Sequence, residues 1–273
     1  MTVPFHDPEW VHKKMIQISK ELGWKRKLLC TVAKKFPVEA FYSHPGRNPP
    51  STPHIYLSAG IHGDEPAGVL ALIYWLENFR SFFYPYRFSL IPVINPWGLK
   101  QNSRLNEQGI DLNRAFQNTN LSPIKEIRSF LETQGPFDLS LLLHEDYDAH
   151  GVYLYETPAN LKLGKKILDE VSKICLIENR PKIEGRKHNG GVLSRPLRKN
   201  RFEKMGYPEA VYLYFQLQCK KIYTIETPSE WDIEKRIQAH FTAINTALSL
   251  LSREKQLFLE NASTDSPKNT IQD

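Results

Sequence analysis

The sequence predicts an α/β domain, a mostly parallel sheet covered by helices on both faces. Three observations carry that expectation. Short apolar runs at 55–60, 137–146 and 220–230 are separated by stretches of helical length and pattern, the alternation that builds parallel sheets. His62, Asn95, His144 and Glu226 fall at or just beyond the ends of strand-like segments, and in such sheets ligands gather at the carboxyl ends of strands. A length of 273 residues with 41% hydrophobic content fills one large core and is short for two.

Taken in order, residues 8–29 read as an amphipathic helix and a following turn, and 37–43 as a short strand. Residues 44–54, rich in Pro and Gly, read as a loop. "IYLSAG" at 55–60 is a buried strand, followed by a helix over 65–79 with Pro66 in its first turn, where a missing N–H costs nothing. "RFSLIPVINP" at 87–96 is the next strand, closed by Pro96 and Gly98. "SPIKEIRSFLETQG" at 122–135 has a Ser cap, an early Pro and a terminal Gly, the marks of a helix. "FDLSLLLHED" is a strongly apolar strand ending in charge, and "GVYLYE" alternates like a neighbouring strand. A helix over 161–178, a strand over 220–230 and a closing helix from about Asp232 to Ser249 complete the pattern. The expected domain spans 1–258, with 259–273 a polar, loose tail.

The cysteines, Cys30, Cys175 and Cys219, are odd in number and far apart, so neither a disulfide framework nor a thiolate metal motif is expected. "MTVPFHDPEW" lacks the apolar core of a secretory signal. No run approaches the ~18 apolar residues of a membrane helix, so a cytoplasmic protein without a membrane partner is expected. The formal charge is +6, and between Arg180 and Lys204 nine Lys/Arg face only Glu184 and Glu203. That segment reads first as a solvated face. A phosphate contact or an acidic substrate are its other uses, but no nucleic-acid motif accompanies it, and a nucleic-acid partner is not expected.

"SAGIHGDEPAG" places His62, Asp64 and Glu65 within four positions at the mouth of a buried strand. On spacing alone, His62 and Glu65 read equally well as two ligands of one cation or as a hydrogen-bonded structural pair. A structural zinc site would want four protein ligands, usually with cysteine. Here a third ligand must come from elsewhere, and His144 leaves a buried strand on the same expected edge. Two histidines and a glutamate, with a fourth position open to water, form a catalytic set. Asp64 is a candidate to orient an imidazole, or simply a turn or cap carboxylate. Glu145, Asp146 and Asp148 beside His144 are candidates for a second cation or a basic substrate group or, more simply, for loop caps and solvent-facing acids.

The most specific text is "NPWGLKQNSRLNEQGIDLNRAF", residues 95–116. "HGDE", "NPWG" followed by Arg104, "GIDLNRAF", "HED" and "IETP" occur in the order found in zinc metallocarboxypeptidases of the M14 type, which the chain resembles over about residues 54–228. It is most similar to compact bacterial members that trim peptides or muropeptides, and more distantly to the succinylglutamate desuccinylase and aspartoacylase branch. The resemblance implies a single zinc carboxypeptidase-like domain with a mixed, mostly parallel eight-stranded sheet and one Zn2+ held by His62, Glu65 and His144. It implies that Arg104 polarises the scissile carbonyl, that Asn113 and Arg114 hold a terminal carboxylate, and that Glu226 is the general base and acid. It also implies a lid tyrosine, for which Tyr207 and Tyr212 are the candidates.

Read from the residues alone, Arg104 and Arg114 are fixed cations with forked donors, suited to a carboxylate or an oxyanion, in a loop following a strand. Surface solubilisation is their ordinary alternative. Asn113 equally caps its own turn, and Asp111 is expected to steady the loop backbone. Glu226 ends a buried strand, where a carboxylate must be solvated, paired or functional. The expected activity is hydrolysis of an amide beside a free carboxylate in a peptide or muropeptide. The rivals are a zinc amidohydrolase acting on a small N-acyl amino acid and a non-catalytic peptide- or nucleic-acid-binding domain. The chain closes soon after Glu226, with room for a helix and tail, and this favours the peptidase-like reading.

Overall fold

The computed structural model describes residues 4–43, 52–78, 86–159, 161–194, 196–197, 202 and 206–264, with backbone alone from 255. The first helix, α1 (Pro8–Leu22), begins where the Asp7 carboxylate accepts the backbone N–H of Glu9 and Trp10, each at 3.1 Å. It buries Val11, Met15 and Ile18, one stripe of its surface, and stops where Gly23 turns left-handed at φ 65°. The expectation of helix and turn to residue 29 is therefore corrected. Residues Lys25–Val32 form strand β1, paired antiparallel with β2 (Phe36–Tyr42). β1 is an exposed edge strand carrying Lys25, Arg26 and Lys27, a polarity that discourages edge pairing and hides the strand from a hydrophobic pattern. Its turn runs through Ala33 and Lys34, both at positive φ, without the Asn-Gly that usually announces such a hairpin.

The remaining strands are β3 (His54–Ala59), β4 (Arg87–Ile91), β5 (Leu139–Asp146), β6 (Tyr153–Thr157), β7 (Val192–Ser194) and β8 (Ile222–Pro228). They form one eight-stranded sheet in the order β1-β2-β4-β3-β5-β8-β6-β7. The β4–β3, β3–β5, β5–β8 and β6–β7 pairs are parallel, and the β1–β2, β2–β4 and β6–β8 pairs antiparallel. β7 is too short to show in the sequence pattern.

The connecting helices are α2 (Pro66–Asn78), α3 (Pro96–Gln101), α4 (Ile124–Gln134), α5 (Gly164–Val171), α6 (Glu209–Phe215) and α7 (Ile233–Thr264). On one face, α1, α2, α5 and α7 share a core with Leu139, Leu141 and Leu143 of β5; on the other, α4 and α6 share one with Leu142. Successive residues of a strand point to opposite faces. His144 and Glu226 therefore share the α4–α6 face with Leu142 and Thr224, and they are Cα partners across the β5–β8 pair. α7 continues to Thr264, past the expected stop near Ser249 and past residue 258. The last residues of the expected tail, 265–273, lie outside the described residues, as do parts of the 44–54 loop and of the basic 180–204 segment. Among the described residues, no helix is long and apolar enough to cross a membrane.

Candidate metal centre and active-site cavity

The turn after β3 carries His62 and Glu65 to the sheet edge, and Pro66 then starts α2. A Cβ on Gly63 would stand 1.9 Å from the Gly98 carbonyl carbon, and Gly63 N–H donates to Ser103 O at 3.0 Å. The "HGDE" turn and the "NPWG" helix thus meet backbone to backbone, which brings Arg104 beside His62. Asn95 is not a rim ligand. It is buried, its side-chain oxygen accepts Gly98 N–H at 2.9 Å, and its amide donates to Leu105 O at 3.1 Å. It caps α3 and shapes the loop that follows.

His62, Glu65 and His144 are all buried, and their ligating atoms lie within 4.8 Å of one another. Nδ1 of His62 is 2.6 Å from Glu65 Oε1, and Nδ1 of His144 is 3.0 Å from Oε2. Ligand atoms of a tetrahedral zinc stand about 3.3 Å apart, so a small opening of this cluster admits the ion. The donor set, two imidazoles and one carboxylate, is the catalytic zinc set rather than a structural one. The cluster is compatible with a single Zn2+. Burial disfavours charge here, yet Glu65 and Asp111 outweigh it and push the His62 pKa up to about 9. The two imidazoles likewise overcome burial and hold the Glu65 carboxyl well below its usual range.

Asp111, expected to steady its loop, also serves the site. Its Oδ1 accepts Asn113 N–H at 2.9 Å and faces Nε2 of His62 at 3.2 Å. Its Oδ2 accepts Arg104 Nε at 3.2 Å and Nη2 at 3.0 Å. Asp64 is exposed and makes no such contact, so the orienting carboxylate comes from the loop after α3 and not from the turn itself. Arg104 Nη1 stands 3.2 Å from His62 Nδ1 and 3.5 Å from Glu65 Oε1, adjacent to the ligand atoms. Glu145 is no second cation ligand either. Its Oε1 accepts Ala67 N–H at 2.7 Å, capping α2, and Oε2 accepts Arg236 Nη1 at 2.7 Å. Asp146 accepts Asp148 N–H at 2.9 Å and the Tyr153 hydroxyl at 2.8 Å.

A cavity of about 260 Å3 opens over the triad, and His62, Glu65, His144, Arg104, Asn113, Arg114 and Glu226 all line it. Glu226 is 9% exposed. Burial raises its pKa, His144 opposes, and Glu65 and Asp146 raise it further; a carboxyl so placed takes up a proton readily. Asn113 Oδ1 accepts Glu209 N–H at 3.1 Å, tying the start of α6 to the Arg114 loop. Neither tyrosine candidate lines the cavity. Tyr212 donates its hydroxyl to Glu132 at 2.7 Å under the Arg128 guanidinium, a packing role on α4. Tyr207 is buried and pairs through its backbone with Arg114 O and Phe116 N–H.

Several cavity residues escaped the sequence reading: Tyr153, Tyr155, Thr157, Thr224, Glu184 and Arg186. Thr224 stands two residues before Glu226, and strand periodicity alone would have put it on the same face. Glu209 is fully buried, its carboxylate accepting Tyr56 and Ser58 hydroxyls at 2.7 and 2.9 Å; no sequence signal marked it.

Comparison with known proteins bears on this arrangement. Residues 51–156 match the family model described as the succinylglutamate desuccinylase/aspartoacylase catalytic domain. Among solved structures, a Shewanella baltica protein provisionally named a metallopeptidase superposes with a TM-score of 0.77 at 22% identity, covering 90% of this chain and 92% of that one. A similarly named protein from Shewanella amazonensis gives a TM-score of 0.76 at 23% identity, covering 90% and 94%. The metallo-carboxypeptidase of Burkholderia cenocepacia gives 0.68 at 15% identity, covering 88% of this chain and 68% of its own. The chain shares its fold with these metallopeptidase and carboxypeptidase structures. No curated protein matches the chain by sequence. In this fold the buried His62–Glu65–His144 cluster stands at the carboxyl ends of β3 and β5, where strand order and register place it.

Proposed function

We propose that the protein is a zinc-dependent hydrolase of carboxypeptidase type, cleaving an amide next to a free carboxylate in a peptide or muropeptide. One observation supports this above the others: the metal triad, Glu226, Arg104 and Arg114 all line a single cavity. When bound, Zn2+ supplies a Lewis acid and lowers the pKa of a coordinated water from 15.7 to about 7.

The chain's own residues divide the remaining work. Asn113 and Arg114 bind the substrate carboxylate and convert binding into orientation of the scissile amide. Arg104, steadied by Asp111, holds the oxygen on which negative charge develops. Glu226 accepts the proton of the attacking water and returns it to the leaving nitrogen, a role suited to a carboxyl whose pKa is raised by burial.

The matched family model favours a second reading, an amidohydrolase acting on a small N-acyl amino acid with the same residues in the same roles. A zinc-loaded assay against plain dipeptides, C-terminally amidated dipeptides, γ-D-glutamyl muropeptides and N-acyl amino acids tests both. Cleavage of free-carboxylate peptides with amidated ones spared is the expected result. Turnover of N-acyl amino acids alone would move the enzyme to the second reading, and no turnover of any class would remove both.

A further inference from the structure

Asn113 lines the cavity, and its amide has two unlike ends, a carbonyl that accepts and an NH2 that donates. Which end faces a ligand decides whether this position attracts or repels a carboxylate. The Glu209 backbone N–H stands 3.1 Å from Asn113 Oδ1. A backbone N–H can only donate, so a flipped amide would set two donors against each other and leave both unsatisfied. The carbonyl end is thereby committed to Glu209, and the NH2 end is left for the cavity.

The Glu209 N–H is itself rigidly mounted. Two residues earlier, Tyr207 N–H donates to Arg114 O at 2.8 Å and Tyr207 O accepts Phe116 N–H at 3.0 Å, so 207–209 runs beside the 113–116 loop. A Cβ on Gly206, at φ 83°, would stand 2.7 Å from Arg114 Cβ, and glycine permits both the turn and the close approach. The Glu209 side chain then crosses to the centre of the sheet. Its carboxylate is fully buried and accepts the hydroxyls of Tyr56 and Ser58, at 2.7 and 2.9 Å, two residues apart on β3 and so on one face. Tyr56 is buried in turn, its ring centre 5.3 Å from that of Phe137.

Glu209, Tyr56 and Ser58 do not line the cavity. A fully buried carboxylate whose two partners are hydroxyls is a costly staple, since an apolar side chain would join α6 to β3 without burying a polar group. What the carboxylate adds is direction. Two hydroxyl bonds from one strand fix the rotation of the residue, and with it the line along which its N–H meets Asn113.

We propose that Glu209 positions Asn113 for ligand binding, anchoring its own N–H on β3 so that the Asn113 amide offers NH2 to an anionic oxygen. This rests on the hydrolase reading above only for the identity of that oxygen, a substrate carboxylate.

Selective isotope labelling of asparagine in the zinc-loaded protein gives an NMR signal for the Asn113 NH2, assigned by its loss in Asn113→Ala. N-acetylglycine, which has a free carboxylate, is expected to shift that signal, and N-acetylglycinamide is not. By calorimetry, Glu209→Gln, which keeps the volume, is expected to weaken N-acetylglycine binding about three- to tenfold, the worth of one hydrogen bond. Tyr56→Phe combined with Ser58→Ala leaves Glu209 in place, removes its anchors, and is expected to do the same. In an Asn113→Ala background neither change has a further effect, because both act through that amide. In kinetics on free-carboxylate peptides the loss falls on KM and leaves kcat unchanged. Unchanged binding in both sets of variants, a loss that persists in Asn113→Ala, or no shift of the NH2 signal in wild type overturns the proposal. Peptide cleavage with an unaltered KM in Glu209→Gln sinks this proposal and leaves the hydrolase standing. The expected shifts and affinities in a protein that cleaves nothing sink the hydrolase alone.

Discussion

Oδ1 of Asp111 lies 3.2 Å from Nε2 of His62, while Oδ2 of the same carboxylate holds the Arg104 guanidinium. A carboxylate on Nε2 sets the imidazole so that Nδ1 faces Glu65 and the ligand cluster, the arrangement that makes histidine a better metal ligand. One side chain therefore orients both a metal ligand and the cation assigned to the developing oxyanion.

Asp111→Asn keeps the shape and removes the charge. It is expected to weaken zinc binding about 10- to 100-fold and to lower kcat as Arg104 loses its anchor. Competition with a chelator of known affinity measures the first, and steady-state kinetics at saturating zinc the second. Unchanged zinc affinity would reduce Asp111 to the loop cap that its bond to Asn113 already makes it.

Glu226→Gln retains the volume and hydrogen-bonding reach of the side chain but cannot take a proton. Zinc content should stay near one per chain while turnover falls by roughly 10²- to 10⁴-fold. Metal analysis and kinetics on one preparation read both. Near-normal rates would take Glu226 out of the mechanism.

Arg114→Ala removes a guanidinium from the cavity wall. Losing a hydrogen bond to a charged group costs about 1.5–3 kcal/mol, roughly ten- to a hundredfold in kcat/KM. The loss is expected for free-carboxylate substrates and not for amidated ones; equal losses would argue against carboxylate recognition at this position.

Gly63→Ala would drive a methyl group to 1.9 Å from the Gly98 backbone, which no side-chain rotation relieves. Overpacking of this kind costs about 3 kcal/mol, a fall in Tm of roughly 6–12 °C for a domain of this size. Calorimetric melting checks it. Because the same contact sets Arg104 against His62, zinc affinity should fall as well.

His54 opens β3, at the end of the strand opposite the metal cluster, and is buried, Nε2 at 3.0 Å from Ser89 Oγ. Burial first, and Arg87 second, lower its pKa to about 4. The folded protein keeps this ring neutral, whereas the unfolded chain protonates it near 6.5. Its contribution is therefore intact above about pH 6.5 and is lost as pH falls from there toward 4, by roughly 3 kcal/mol in all. His54→Gln should flatten that limb of a stability–pH curve from chemical denaturation. A limb unchanged in the variant would place the titration elsewhere.

How much of this was legible depends on the kind of signal. The strands β3, β5 and β8 announce themselves as apolar runs because both of their faces are buried. β1 does not, because it is an edge strand dressed in Lys and Arg, and its turn lacks the usual residues. α6 is seven residues long and β7 three, too short for periodicity to register. The triad was legible because polar groups interrupt buried strands at their ends, a costly placement that asks for an explanation.

By itself, the sequence determined which elements would be buried and which side chains would stand at their carboxyl ends, since hydrophobic periodicity and strand termini are local properties. Only the tertiary structure decided that Asp111 rather than Asp64 orients His62, that Asn95 and Glu145 are caps, and that Arg186 shares a cavity with Arg114. Those relationships are made across distant parts of the chain by strand order, register and the close backbone contact at Gly63, and no local pattern encodes them.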